Sequence, residues 1–356
     1  MTPEQRFGRD VRSKIAGPSP DWRRAVNDGP RDPAAFDKAL SEAGLFGIVE
    51  SRAGLEAGVL LPHPVRIAFW NAERCKYLTE SASLLRDQHA HVTLLAEMDL
   101  GMARSDNRHT TRELAMATEQ GYVFGVEFVE LDLGDARERT WHAGESNTQG
   151  LHGAAILSAY DLNDPAVVRL ELDGDWFDGR HGERRVGGRI AVVAKLDTVR
   201  GPIAVASVHL ESHSSPIQRM SQMEALCRAL DDYADGAPLV IGGDFNTNSF
   251  DQSDGAPTPD NRLALAREDR DRLSDPVSYE PLFDVAREFG LDWTACNAPG
   301  PTQRTRPDGT PQPPFGKIDW FFTRGLTAMA PRIVPAVDHL ESAISDHELL
   351  LVEVDF

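Results

Sequence analysis

Cysteine is scarce in this chain of 356 residues: Cys75, Cys227 and Cys296 lie far apart, form no C-x-x-C pair and leave an odd count. That excludes a disulfide framework, gives no basis for a structural zinc site and sets a reducing, cytoplasmic compartment as the expectation. Long apolar runs are missing too. No stretch approaches the roughly 18 uninterrupted apolar residues of a membrane span, and the opening "MTPEQRFGRDVRSKIAGPSP" has charge but no apolar centre, so neither a spanning helix nor a signal peptide is expected. Basic residues are the third shortage. Lys and Arg number 37 against 56 Asp and Glu, a formal net charge of -19. A field of that sign repels polyanions unless a local basic patch overrides it, which disfavours nucleic acid as a partner.

What is present changes character along the chain. In residues 1–62, Phe36, Leu40, Ala43 and Leu45 recur at roughly helical spacing before the Gly and Pro punctuation of "GVLLPHP", which predicts a helical N-terminal extension. Residues 63–356 read as the main domain. Short apolar runs bounded by turn signals dominate it: "VRIAFWN", "HVTLLAEMD", "YVFGVEFVEL", "GAAILS", "RIAVVAKLD", "IAVASVHLES", "PLVIGGDFN", "KIDWFFT" and "HELLLVEVDF". Each predicts a strand. Helices fit at "YLTESASLLRDQHA", "TTRELAMATEQG" and "SPIQRMSQMEALCRALDDYADG". In the last, Pro216 suits the first turn, Ser214 or Ser215 suits the cap, and Ile217, Met220, Met223, Cys227 and Leu230 form a core-facing stripe. Strands buried on both faces with helices between them predict an α/β fold of two packed sheets covered by helices. A Pro- and Gly-rich insertion at about 251–314 interrupts this rhythm.

Several strands end in ionisable or amide groups: Asn71 and Glu73, Glu97, His209, Asp244 and Asn246, Asp319, and Asp346 with His347. Any one is a weak signal, because Asp and Asn habitually end strands. Together they are informative, since carboxylates sharing one rim repel one another unless a cation or a histidine neutralises them. "HLESH" sets His209 and His213 four apart, but its glutamate is misplaced for a zinc H-E-x-x-H site.

From about Val65 to Phe356 the chain resembles the endonuclease/exonuclease/phosphatase superfamily, through "WNAE", "LLAEMD", "HLES", "GGDFN", "IDWFF" and "SDH" in that order. The resemblance implies a four-layer α/β/β/α sandwich of two mostly antiparallel sheets and a phosphoester hydrolase using Mg²⁺ or Mn²⁺. Hard cations prefer oxygen, so Glu97 is the first choice of metal ligand, with Asn71 and Glu73 beside it and Asp346 closing the cluster. Asp244 suits the general base and Asn246 the phosphate or the base itself. His347 would contact the phosphoryl group with Asp319 holding its ring, and the resemblance gives His209 a second phosphate-facing role.

Two basic clusters are candidates for substrate contact. Arg104, Arg108 and His109 follow Glu97 closely and are assigned to the substrate, whereas Arg180, Arg184, Arg185 and Arg189 read as solvated surface. The preferred substrate is a small or headgroup-type phosphate ester. A nuclease is the alternative enzyme, and a non-catalytic binding protein that keeps the fold is the alternative from another class.

Overall fold

The apolar runs become strands because their side chains alternate between two cores. In Val65–Arg74, Val65, Ile67 and Phe69 face one apolar cluster while Ala68 and Trp70 face another, the two-residue period of a pleated strand buried on both sides. The computed structural model describes residues 7–171, 173–248, 264, 271–305 and 315–356. Of the expected insertion, 251–263, 265–270 and 306–314 lie outside the described residues.

Two sheets pack face to face. The six-stranded sheet runs in the order Phe7–Gly8 (β1), Asn163–Arg169 (β8), Ile190–Thr198 (β10), Gly201–His209 (β11), Leu239–Asp244 (β12) and Asp319–Arg324 (β13). The nine-stranded sheet runs Thr327–Val334 (β14), Leu349–Asp355 (β15), Val65–Arg74 (β4), Val92–Leu100 (β5), Leu151–Ser158 (β7), Gly121–Glu130 (β6), Ile48–Arg52 (β3) and Asp10–Arg12 (β2), with Arg185–Gly187 (β9) also on β6. Most pairs are antiparallel, but β4 with β5, β11 with β12 and β2 with β3 are parallel. Between the sheets lie Ile67, Phe69, Leu94, Val192, Val205, Val240, Phe321 and Val352. Gly242 is needed there: a Cβ on it would stand 2.8 Å from the Leu94 side chain across that seam and 2.8 Å from the Phe321 ring on the neighbouring strand.

Helices cover both outer faces. Pro20–Asp28 (α1), Pro33–Ala43 (α2), Leu78–Gln88 (α3) and Thr110–Ala117 (α4) lie over the larger sheet, where Phe36, Leu85 and Leu114 join Trp70 and Phe124. Ala136–Trp141 (α5) is a single turn with an Asp135/Glu138 capping box. Pro216–Ala234 (α6) and Leu282–Glu288 (α7) cover the smaller sheet. Ser215 caps α6 with Gln218 in a reciprocal capping box, and Pro216 occupies its first turn. Met223, Cys227 and Leu230 are buried as expected, but Ile217 is 58% exposed. The buried stripe begins instead at Arg219, whose guanidinium pairs with Glu280 at 2.5 Å with neither side chain exposed.

The N-terminal segment does more than add helix. Besides α1 and α2 it contributes β1 to one sheet and β2 and β3 to the other, and buried Glu50 accepts the Ile15 backbone N–H at 2.6 Å. All three cysteines are buried without disulfides, and burial pushes each thiol up to about 12. Among the described residues no helix is long and apolar enough to cross a membrane.

Two stability measurements test this packing. Arg219→Met strands a buried carboxylate and is expected to lower unfolding free energy by about 3–5 kcal/mol in urea titration, while adding Glu280→Leu restores most of the loss; a double variant as unstable as the single would contradict a pair held by mutual neutralisation. Although burial opposes it, hydrogen bonds from His109 and Tyr122 lower Glu50 from the ordinary 4.5 to about 2. Its contribution is therefore present above pH 4.5 and lost as pH falls towards 2. Glu50→Gln should flatten the acid side of the stability profile in that window, and an unchanged slope would remove Glu50 from the account.

Candidate functional site

Parallel pairing decides where the polar groups meet. β4 and β5, and β11 and β12, deliver their carboxyl ends to one edge of the sandwich, where antiparallel β13 begins with Asp319 and the turn before β15 brings Asp346 and His347. A cleft of about 360 Å³ opens at this edge, and Glu97, His209, Asp244, Asn246, Asp346 and His347 all line it. A larger hollow of about 520 Å³ between α3 and α4, lined by Arg86, His89, His91 and Glu119 among others, has a single carboxylate and so no paired acids.

Register sets the centre of the cleft. His209 is the cross-strand partner of Asp244, and Asp244 that of Asp319, so the three form one row across β11, β12 and β13. The Asp319 carboxylate accepts from His347 Nδ1 at 2.9 Å, and His347 Nε2 lies 3.8 Å from Asp244. Burial opposes the charge on His347, but Asp319, Asp346 and Asp244 together hold it well above the ordinary imidazole range. Asp244 is pushed up to about 7 by burial and by the nearby Asp319 charge. Two carboxylates facing each other in a dry site cannot both ionise at ordinary pH without such a partner. Ligand atoms of Asp244, Asp319 and His347 all lie within 4.8 Å of one another, close enough to hold a metal ion.

Backbone irregularity places the second group. The ladder slips between Asn71 and Arg74 and again between Leu95 and Met98, and Glu73, Arg74, Glu97 and Asn246 all have left-handed φ. Leu95 and Met98, three apart, share one core cluster, so the bulge takes Glu97 out of the strand alternation and into the cleft. Asn71 Nδ2 bridges Glu97 at 3.2 Å and Asp244 at 3.0 Å, acting there as a donor. Glu73 accepts from Lys76 at 2.6 Å and from the Asp346 backbone N–H at 3.1 Å. The Asn246 side chain donates to the Leu210 carbonyl, and its backbone N–H holds the Asp244 carboxylate at 2.9 Å. Burial and the Asp346–Glu73 repulsion push Asp346 up to about 7.

His209 is opposite in character to His347. Burial, then the Arg189 charge 3.2 Å away, hold it well below the ordinary imidazole range. Burial opposes ionisation of Glu97 as well, yet Arg74, 2.6 Å away, keeps it well below the carboxylate range. With His209 neutral, Arg74 is the main cation responsible, with a smaller contribution from His347.

Three assigned substrate contacts sit elsewhere. Arg104 is buried, with its guanidinium spent on Asp99, Glu130 and Glu138. Arg108 pairs with Asp106 and Glu113, and His109 caps α4 while bonding to Glu50; neither lines the cleft. The cluster read as solvated surface is the one that reaches it. Arg185 and Arg189 are buried and line the cleft, paired with Glu130 and Glu183 and with Glu127 and Glu211 respectively, whereas Arg180 stays exposed. Sequence reasoning also passed over Arg74, directly after the "WNAE" strand end, and His152 at the start of β7, which lies 2.8 Å from Asp99. Trp176, His181 and His213 form a cluster of rings along the cleft, with centroids 4.6 to 4.9 Å apart. The order of residues gave no signal for it, because Trp176 and His181 share the loop between β8 and β9 while His213 comes from the turn after β11.

None of the curated proteins compared matches the chain. Solved structures do, at the level of fold. An endonuclease/exonuclease/phosphatase from Beutenbergia cavernae aligns with TM-score 0.51 and 17% identity over 82% of this chain and 71% of its own. A functionally unknown protein from Enterococcus faecalis aligns with TM-score 0.52 and 17% identity over 82% of this chain and 99% of its own. The model of the Endonuclease/Exonuclease/phosphatase family matches residues 68–347, which span every strand end that meets in the cleft. With the two packed sheets, this match places the chain in the endonuclease/exonuclease/phosphatase family.

Proposed function

We propose that this chain is a divalent-cation-dependent phosphoesterase acting on a compact phosphate ester. The observation that carries the reading is the Asp319–His347 pair at 2.9 Å with Asp244 3.8 Å from the far ring nitrogen, a base and a cationic donor fixed side by side.

A ring held protonated cannot ligate a metal, so we place the cation not at the Asp244, Asp319 and His347 cluster but at Glu97. Glu97, Asp346 and Glu73 are oxygen donors, and burial together with the Glu73 charge raises Asp346 to about 7, a repulsion that Mg²⁺ or Mn²⁺ would relieve. When bound, such an ion polarises a phosphoryl oxygen and offsets the charge that builds in the transition state. The protein's own groups do the rest. Asp244, oriented by the Asn246 backbone N–H and by Asn71, takes a proton from the attacking water as its oxygen bonds to phosphorus and the bond to the leaving oxygen breaks. His347, kept protonated by Asp319, gives its Nε2–H to a phosphoryl oxygen. Neutral His209 offers a ring nitrogen beside Asp244, 3.6 Å from its carboxylate.

Size and lining favour a compact ester over a polymer. A cleft of about 360 Å³ suits a small ligand, and its four arginines, Arg74, Arg137, Arg185 and Arg189, are all already paired, which leaves few contacts for a phosphodiester backbone. Arg137, Ser212, His181 and His213 line the same cleft and suit the non-reacting part of the substrate.

The direct test is a panel of phosphate mono- and diesters with Mg²⁺, Mn²⁺, Ca²⁺ or chelator. Turnover unaffected by chelator would overturn the metal reading, and plasmid cleavage faster than every small ester, lost steeply with salt, would make the protein a nuclease. Asp244→Asn is expected to lower kcat on the order of a hundredfold or more with the fold intact. His347→Ala and Asp319→Asn should each be severe, but their double variant should be little worse than His347→Ala alone; additive effects would break the pairing. Arg137→Ala and His213→Ala should raise KM more than they lower kcat, since contacts away from the reacting bond supply mainly uniform binding, and an equal fall in kcat alone would move them into the chemistry.

A further inference from the structure

Glu97 already has a cation. Its Oε2 takes the Arg74 guanidinium at 2.6 Å and its Oε1 accepts from Asn71 at 3.2 Å, so both oxygens are engaged. Arg74 has a second acidic neighbour in Glu138, 3.3 Å from its Nε. That contact is a charge pair without an aligned hydrogen bond, because Arg74 Nε, though buried, has no hydrogen-bond acceptor. Glu138 is itself fixed: its Oε2 accepts from the Asp135 backbone at 3.0 Å within the α5 capping box and meets Arg104 at 3.1 Å. Arg74 thus stands between a carboxylate in the cleft and a rigidly held one behind it.

Charge makes these two positions alternatives. Around Glu97, Glu73 and Asp346 the resident cations are Arg74, Lys76 and, 3.9 Å from Asp346, His347. A divalent ion on Glu97 would share its carboxylate with a guanidinium in a buried site, where like charges repel with little screening. Withdrawal of Arg74 towards Glu138 removes that repulsion and completes the hydrogen bond its Nε lacks.

Resting on the reading that Glu97 binds a divalent cation, we propose that Arg74 is a built-in competitor for that site, which sets metal affinity by exchanging Glu97 for Glu138 when the ion enters. Arg74 is in this sense a positioning residue, acting through Glu97.

The test measures binding, with no turnover needed. Mn²⁺ is titrated into the purified full chain and followed by calorimetry and by loss of the free-Mn²⁺ electron paramagnetic resonance signal, with Glu97→Gln defining the site. If the pair is formed about nine-tenths of the time without metal, Arg74→Met should bind Mn²⁺ about tenfold more tightly. Glu138→Gln, which leaves Arg74 only Glu97 as an acidic partner, should bind severalfold more weakly. A merely structural role would weaken binding in both variants, so the opposite signs are diagnostic. Unchanged or weaker binding in Arg74→Met with a native circular dichroism spectrum overturns the proposal. If Arg74→Met does not fold, Glu138→Gln decides, and unchanged or tighter binding overturns it. Absence of any Glu97-dependent Mn²⁺ uptake in the wild-type chain would instead refute the metal reading and the proposal with it, a result distinct from Glu97-dependent binding that ignores Arg74.

Discussion

Asp244 and Asp319 stand opposite each other in neighbouring antiparallel strands, both buried, and everything at this edge of the sandwich answers that repulsion. His347 is the response on one side, with its ring held at 2.9 Å by Asp319 and its far nitrogen directed at Asp244. The arrangement assigns opposite states to two histidines in one cleft. His347, surrounded by carboxylates, is held as a cation, whereas His209, beside Arg189, is held neutral. One row across three strands thereby offers a proton acceptor and a neutral ring, and the turn before β15 completes it with a cationic donor.

The same logic extends away from the chemistry. A chain of net charge -19 nevertheless concentrates arginine behind its cleft: Arg74, Arg104, Arg185 and Arg189 are each paired with at least two carboxylates. Buried ion pairs of this kind add little net stability compared with apolar packing, but removing one partner is costly. Their effect is to fix geometry. The network ties the short α5 turn, the β5 bulge and the starts of β7 and β10 into one rigid wall, so the position of Glu97 depends on residues far along the chain.

Much of this was legible in sequence where the signal was local. Nine apolar runs marked nine strands, because strands buried on both faces need continuous apolar residues. Their polar ends marked the cleft, because a parallel pair must finish at the same edge. Among the described residues six strands escaped notice, most of them for want of that signal, although Asn163–Arg169 carries buried Ala166, Val167 and Val168 behind a proline. Thr327–Val334 is an edge strand, largely exposed, with a proline beside its bulge, and β1 to β3 are short pieces inside a segment whose helical spacing dominates. Partner choice among charges was not legible. Arg104 and Arg189 are both arginines near strand ends, and only the fold decides that neither is solvated and that Arg189 alone of the two borders the cleft. Arg74 was invisible for a related reason, since its importance lies in its distance to Glu97 across two bulges.

The account's central claim is that Asp244 directs a water molecule at phosphorus. Hydrolysis in ¹⁸O-labelled water, of whichever ester the protein turns over, tests this by mass spectrometry of the products. The account predicts one labelled oxygen in the released phosphate, none in the alcohol, and loss of this label incorporation in Asp244→Asn. Label in the alcohol, or incorporation into phosphate at the wild-type rate in Asp244→Asn, would contradict it.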